Sequence, residues 1–440
     1  MRWTVKDKIE KVDRRIFVKR STVAATVVVA SPMILDSQVF GANDRIRAAV
    51  LGVHGQGKSH IEALMANANV DVSTLCDPDS EVSATRAAEF ETKYGRKVKI
   101  VQDLRKVFDD KEIDVVTIAT PNHWHALATI WACQAGKDVY VEKPGAHNIW
   151  EGRKMVEAAA KYNRIVQHGV QLRSSEALQE AVQHLRKGAI GKVYMARGIV
   201  YRWRGDIGNH AAEPAPKTLN YDLWLGPAQE RPFTRNLVHY NWHWHWDFGN
   251  GDVGNQGIHE TDMCLWGLGV GLPERVTSMG GKFLWDDCKE TPEVLSSSYL
   301  YPKEKKMIEF EVRPWCTNAE DEAMVGNIFY GSEGYMVIKG YSKYETYLGQ
   351  KKEPGPKGEK APDHFGNFIQ AVRRRDKSLL NGPVETAHLS SALAHLGNIS
   401  FRLGRVVTFD PATERFVGDQ EANAMLARDY RKPYVVPEKV

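Results

Sequence analysis

The stretch from Ile46 to Asp77 constrains the fold of this chain more than any other. Residues 46–51 are an apolar run of strand length, and Gly52-Val53-His54-Gly55-Gln56-Gly57 is a glycine-rich turn. Residues 59–68 read as a helix, and residues 70–76 as a second strand that ends on Asp77. A strand that runs through a glycine turn into a helix leaves backbone N–H groups unpaired at a helix N-terminus, where they and the helix dipole hold a pyrophosphate. The middle glycine of the usual G-x-G-x-x-G pattern is replaced by His54, and Gly55 adds a glycine beside it. Gly52, His54, Gln56 and Gly57 are therefore the expected phosphate-side contacts. Asp77 is placed to accept both ribose hydroxyls, which favours NAD over NADP because a 2′-phosphate would be repelled.

Further strand patterns at 114–119 and 138–141 alternate with helical ones, so the spacing predicts a doubly wound parallel sheet over residues 43–165. From residue 166 to 440 the pattern changes. Strands are expected at 193–201, 276–283, 294–301, 306–312 and 326–330, several with alternating polarity, which predicts a second, α+β domain with an open and mostly antiparallel sheet. Residues 351–362, rich in Lys, Gly and Pro, read as a solvated loop, followed by helices at 364–375 and 385–403. The fold class is α/β.

The formal net charge is only +4 in 440 residues, with Lys and Arg dispersed, which gives no reason to expect nucleic acid. The five cysteines (Cys76, Cys133, Cys264, Cys288, Cys316) form no CxxC pair and no zinc spacing. Residues 1–42 read as a leader: Arg14-Arg15 precedes Phe17 and Lys19, then a mild apolar run too short to span a bilayer. That pattern matches a twin-arginine export signal, so a periplasmic or otherwise extracytoplasmic location is expected, with no membrane association after export.

Thr120-Pro121-Asn122-His123-Trp124-His125 ends one strand of the first domain, and Val141-Glu142-Lys143-Pro144 ends the next. Ligands of such sheets sit at the carboxyl ends of the strands, where these segments converge. Together with Gly257-Ile258-His259-Glu260-Thr261-Asp262, these motifs make the chain from about Arg45 onward resemble the glucose–fructose oxidoreductase, inositol dehydrogenase and rhizopine-catabolism family (Gfo/Idh/MocA). The resemblance implies that Thr120, Pro121, Asn122 and His125 line the nicotinamide side, with Glu142 and Lys143 at the reacting end. It also implies that Gln171 and Arg173 line the substrate cleft; for Arg173 an exposed salt bridge is the alternative. Members of the family commonly associate through the open C-terminal sheet, so a homo-oligomer is expected.

Removing hydride from a secondary alcohol needs a base for the hydroxyl proton and a charge that stabilises the alkoxide. Lys143 supplies the charge. The family's D-x-x-x-H pair becomes Asn255 and His259 here, and an amide cannot serve as a base, so the base falls to His259 and Asn255 orients the hydroxyl. Asp262 is a candidate to orient His259. In Asn241-Trp242-His243-Trp244-His245-Trp246, an extended chain would put the three Trp on one face, making Trp244 a sugar-stacking candidate or else a core anchor. His243 and His245 alone do not make a metal site, and no metal is expected.

These features point to an exported, NAD-dependent oxidoreductase of a sugar or polyol. An exported enzyme has no NAD pool to exchange with, so the cofactor is expected to be tightly bound and returned to its starting state in each cycle. An NAD-dependent glycosidase or lyase acting through a transient keto-sugar is the alternative, and a non-catalytic sugar-binding protein a second one.

Overall fold

The computed structural model describes residues 45–314 and 319–440. The Arg14-Arg15 leader and Cys316 lie outside the described residues. The first sheet contains β1 (Ile46–Leu51), β2 (Val70–Cys76), β3 (Lys99–Val101), β4 (Val115–Ile118), β5 (Asp138–Val141) and β6 (Val166–His168), in the order β3-β2-β1-β4-β5-β6. All neighbouring pairs are parallel. The central strands are buried on both faces, which is why they read as continuous apolar runs such as Ala48-Ala49-Val50-Leu51. The chain leaves β1 toward β2 and returns as β4 on its other side, so the topological switch lies between β1 and β4 and opens a crevice at their carboxyl ends.

The second sheet has ten strands, ordered β14-β13-β12-β11-β7-β10-β9-β8-β15-β16. They are β7 (Val193–Tyr201), β8 (Arg275–Gly281), β9 (Val294–Tyr301), β10 (Lys306–Arg313), β11 (Val325–Gly331), β12 (Gly334–Lys339), β13 (Lys343–Leu348), β14 (Glu353–Glu359), β15 (Val407–Asp410) and β16 (Arg415–Phe416). The sheet is antiparallel except where β7 runs parallel to β10. One face packs on the helices Glu176–Arg186, Gly257–Leu268 and Val384–Leu403, which fill the core with residues such as Leu178, Ile258 and Leu396.

Four expectations need correction. Residues 353–359 are not a loop but the edge strand β14, paired with β13. An edge strand tolerates Pro354 and Pro356 because one row of its backbone groups needs no partner in the sheet. The parallel sheet runs past residue 165, since β6 completes it. The chain also returns to the first domain: Phe368 and Ile369 share a core cluster with Val50 and Val72, and Tyr434 and Val436 share one with Leu104 and Leu127. The helix after β1 starts at Gln56, inside the glycine turn, rather than at 59.

Candidate active site

The crevice is built from four turns. At the first, Gly52 has φ +79°, and a Cβ there would lie 2.6 Å from the Ala119 carbonyl oxygen. A Cβ on Gly57 would fall 1.9 Å from the Gly52 oxygen, so only glycine lets the helix Gln56–Met65 start this close to β1. Gly55 faces open space. Among helices following the parallel strands, those after β2, β3, β5 and β6 are capped by Asp79, Asp103, Asn148 and Ser175. The helices after β1 and β4, which flank the switch, start at Gly55 and Pro121 with no side-chain cap. In the second, the His123 N–H is taken by the Phe248 carbonyl at 3.2 Å, so it is chiefly the helix after β1 whose leading N–H groups are left for a ligand.

Asp77, buried at the end of β2, accepts hydrogen bonds from the backbone N–H of Val53 (2.9 Å) and Asp79 (3.0 Å). Burial raises its pKa, and those two N–H donors oppose the shift. Each carboxylate oxygen keeps a lone pair for a ribose hydroxyl. His54 is exposed and stacks on His239, at 4.8 Å between ring centroids, while His239 meets Asp79 at 3.1 Å. At the β4 turn, Thr120 Oγ1 and Asn122 Nδ2 are buried without a partner beside the crevice they help to line. His125 bridges the β4 and β5 turns, with one ring nitrogen 2.6 Å from the Pro144 carbonyl and the other 2.8 Å from that of Thr120.

Glu142 is buried and held by His60 Nε2 (3.2 Å), Gln56 Nε2 (3.2 Å) and Gln171 Nε2 (3.3 Å). Burial alone would raise its pKa; the His60 hydrogen bond and the positive groups around it bring it instead to about 2. Lys143 Nζ donates to Asn255 Oδ1 at 3.1 Å. Burial lowers the pKa of this lysine, against the pull of Glu142 and Asp252. The crevice is thus lined by Gly52, His54, Gln56, Asp77, Thr120, Pro121, Asn122, His125, Glu142, Lys143 and Asn255.

The facing wall differs from expectation. Asn241–Trp244 forms a 3₁₀ turn, so the aromatic residues do not share one face. Trp242 and His243, stacked at 3.6 Å between centroids, line the crevice with Tyr240. Trp244 does not line it; this indole is buried beneath the Arg204 guanidinium, which itself holds Asp252 in a bidentate pair at 2.8 and 2.7 Å. The H-x-H pair is split: His243 Nδ1 meets the Tyr240 carbonyl, and His245 Nδ1 meets Glu290 at 3.2 Å. Among the described residues no group of three or more His, Cys, Asp or Glu is placed to hold a metal.

Arg173 is engaged elsewhere, in a bidentate pair with Asp262 at 2.7 and 3.0 Å. That pair removes Arg173 from the substrate wall and Asp262 from any contact orienting His259. Gln171 donates to Tyr140 Oη (3.0 Å) and Glu142, and so supports Glu142 rather than lining the crevice. His259 is 4% exposed, edge-on to Tyr341 at 4.9 Å, and is not part of the crevice lining. Burial and the Lys143 charge push its pKa down to about 3, so it is neutral at neutral pH with Nδ1 unpartnered. Sequence reasoning missed His60, which holds Glu142. Its signal was its place one helical turn after Gln56, on the same helix face.

A description of an oxidoreductase family with an NAD-binding Rossmann fold matches residues 46–170, and one of that family's C-terminal α/β domain matches residues 185–273 and 331–436. The chain belongs to the Gfo/Idh/MocA oxidoreductase family. Levoglucosan dehydrogenase from Pseudarthrobacter phenanthrenivorans is 34% identical over 128 residues, 29% of this chain and 33% of the relative. A glycosyl hydrolase family 109 protein from Shewanella pealeana is 26% identical over 172 residues, 34% of this chain and 38% of the relative. The chain thus spans about a third of the length of these two curated relatives. A solved levoglucosan dehydrogenase in complex with NADH and levoglucosan superposes with TM-score 0.61 and 18% identity, covering 85% of this chain and 99% of that one. That likeness is one of fold.

The residues present fit an NAD cofactor of the kind this Gfo/Idh/MocA domain binds. Two uncapped helix N-termini face the crevice, a glycine cradle admits close backbone approach, and Thr120 Oγ1 and Asn122 Nδ2 are buried polar atoms without partners.

Proposed function

We propose that this chain is an NAD-dependent oxidoreductase that takes hydride from a secondary hydroxyl of a sugar or other polyol, with NAD preferred to NADP. The carrying observation is the Lys143 Nζ–Asn255 Oδ1 hydrogen bond of 3.1 Å at the carboxyl edge of the parallel sheet. When bound, the nicotinamide supplies the hydride acceptor. Gly52, Gly57, Asp77, Thr120 and Asn122 hold the cofactor, and the Asp77 carboxylate disfavours a 2′-phosphate. Asn255 orients the substrate hydroxyl and keeps Lys143 in place. Lys143, whose pKa burial lowers, is the group placed to receive the hydroxyl proton and to stabilise the oxygen by its charge. His259, with a pKa pushed down to about 3 and outside the crevice lining, acts as a neutral neighbour of Lys143. Trp242 offers an aromatic face to the C–H surface of the sugar.

The Arg14-Arg15 leader supports export, and export favours a tightly held cofactor restored within each cycle. The match to a glycosyl hydrolase family 109 protein supports a second reading, in which transient oxidation permits elimination of a glycosidic group before re-reduction.

The experiment is mass analysis of cofactor released from the purified full chain, followed by turnover on a panel of polyols and glycosides. NAD(H) in the protein and oxidation of at least one polyol are expected. Release of a glycosidic group without net NADH selects the second reading, and a protein that carries no dinucleotide and turns over nothing contradicts both.

A further inference from the structure

A second cavity lies behind the crevice, between the turn that follows Lys143, the turn that precedes Asn255, and the end of the helix Val384–Leu403. It shares no lining residue with the crevice. Its inner wall carries His147, Asn148, Asn250 and Asn398, which are 8, 7, 6 and 4% exposed. Each has one side-chain polar atom with no hydrogen bond of good geometry, His147 Nε2, Asn148 Nδ2, Asn250 Nδ2 and Asn398 Oδ1, with the Tyr430 hydroxyl near Asn148 and the Gly249 carbonyl near His147.

Neighbouring bonds fix two of these orientations. Asn148 Oδ1 accepts from the Glu151 backbone N–H at 2.9 Å, so its amide nitrogen is the atom left over. Asn398 Nδ2 donates to the Asn250 carbonyl at 3.0 Å, which leaves its oxygen. At the mouth, the Arg402 guanidinium lies 5.1 Å from the Trp246 ring; among the described residues no carboxylate is within ion-pair distance of it, and those of Glu290 and Asp247 act on it from farther away. The other charged groups of this wall are already engaged. Arg428 donates to the carbonyls of Asp247 (2.9 Å) and His123 (3.1 Å), and the Asp247 carboxylate pairs with Arg231 at 3.2 Å.

An unmade hydrogen bond on a buried amide is costly, and four such groups in one cavity imply an occupant. The Asn148 nitrogen is a fixed donor and the Asn398 oxygen a fixed acceptor, and the Arg402 guanidinium adds a positive charge at the mouth. A compact oxyanion supplies acceptor oxygens to the amides of Asn148 and Asn250 and negative charge to Arg402; one hydroxyl on it supplies the donor for Asn398 Oδ1. We infer that this cavity binds a small oxyanion bearing a hydroxyl, a hydroxycarboxylate or a hydrogen phosphate, at a site separate from the substrate crevice. His147 and Asn250 belong to the two turns that deliver Lys143 and Asn255, so an occupant here stiffens both.

The test is calorimetric titration of the full chain with sodium phosphate and, separately, sodium malate, at matched ionic strength in chloride. The same titrations are run on Arg402→Met and Asn398→Leu. Arg402 stands at the rim, so its replacement leaves the fold intact, which thermal melting checks. Saturable binding of one or both anions is expected, weakened by about tenfold or more in Arg402→Met through loss of a charge-assisted contact. Whichever anion saturates identifies the source of the ligand. If neither anion binds saturably, the cavity holds only water and the inference fails. Binding that is unchanged in Arg402→Met also overturns it, because the anion then sits elsewhere.

Discussion

The wall of the crevice made by the parallel sheet and the wall facing it are supplied in different ways. Gly52, Asp77, Thr120 and Lys143 each stand at or just past the carboxyl end of a strand, so strand register alone delivers them to one edge. Tyr240, Trp242 and His243 come instead from an irregular segment with one 3₁₀ turn, whose side-chain directions depend on stacking and on the Arg204–Asp252 pair beneath it. The first wall is fixed by topology and the second by packing, so the first carries the shared chemistry and the second is free to set the substrate.

Acid is expected to have the largest effect, and it acts through imidazoles buried throughout the molecule, of which His243 belongs to the facing wall. His123, His243 and His259 have pKa values pushed down to about 3, and His364 and His395 to about 4, chiefly by burial. These imidazoles stay neutral when folded but take protons once unfolded below their ordinary value of 6.5. Their contribution to stability is therefore complete above pH 6.5 and falls as pH drops toward 4, by up to about 1.4 kcal/mol per pH unit for each group, outweighing the opposite effect of Glu260, whose pKa burial raises to about 8. Melting temperature measured from pH 8 to 4 is expected to be flat at first and then to fall steeply. A flat profile down to pH 4 would show that these imidazoles are solvated in the folded protein.

The next effect distinguishes structural from substrate-binding residues. Arg173→Ala leaves Asp262 buried without its partner and is expected to cost about 3–5 kcal/mol of stability. Chemical denaturation reads that loss. An unchanged stability with a raised KM would return Arg173 to the substrate wall.

Smaller still is the effect at the aromatic segment. Trp242→Ala is expected to raise KM for the polyol several-fold with kcat little changed, because a ring contact contributes about 0.5–1.5 kcal/mol of mostly uniform binding. Trp244→Ala should lower stability instead, by the loss of a buried ring. The reverse pattern would show that Trp244 meets the sugar.

The same contrast explains what was legible in the sequence. Glycine turns, strand ends and the Lys143 motif are local signals, and the structure brings all of them to one crevice. The edge strand β14 was hidden because prolines and glycines that exclude a central strand are tolerated at an edge. Arg173 and Asp262 could not be paired from sequence, since nothing local brings residues of two separate elements together. The 3₁₀ turn at Asn241–Trp244 defeated an argument that assumed strand periodicity, and burial rather than residue type lowers the pKa of His259.

The central claim is that Lys143 moves the hydroxyl proton, held by Asn255, with His259 outside the transfer. Single-turnover reduction of enzyme-bound NAD⁺, followed by absorbance across pH, tests it directly in Lys143→Met and His259→Ala. Lys143→Met is expected to lose about 10²–10⁴-fold in rate with its cofactor retained and its pH dependence flattened. His259→Ala should keep the parent's pH profile with a smaller loss. If Lys143→Met keeps the profile and His259→Ala abolishes it, the base is His259 and the account is contradicted.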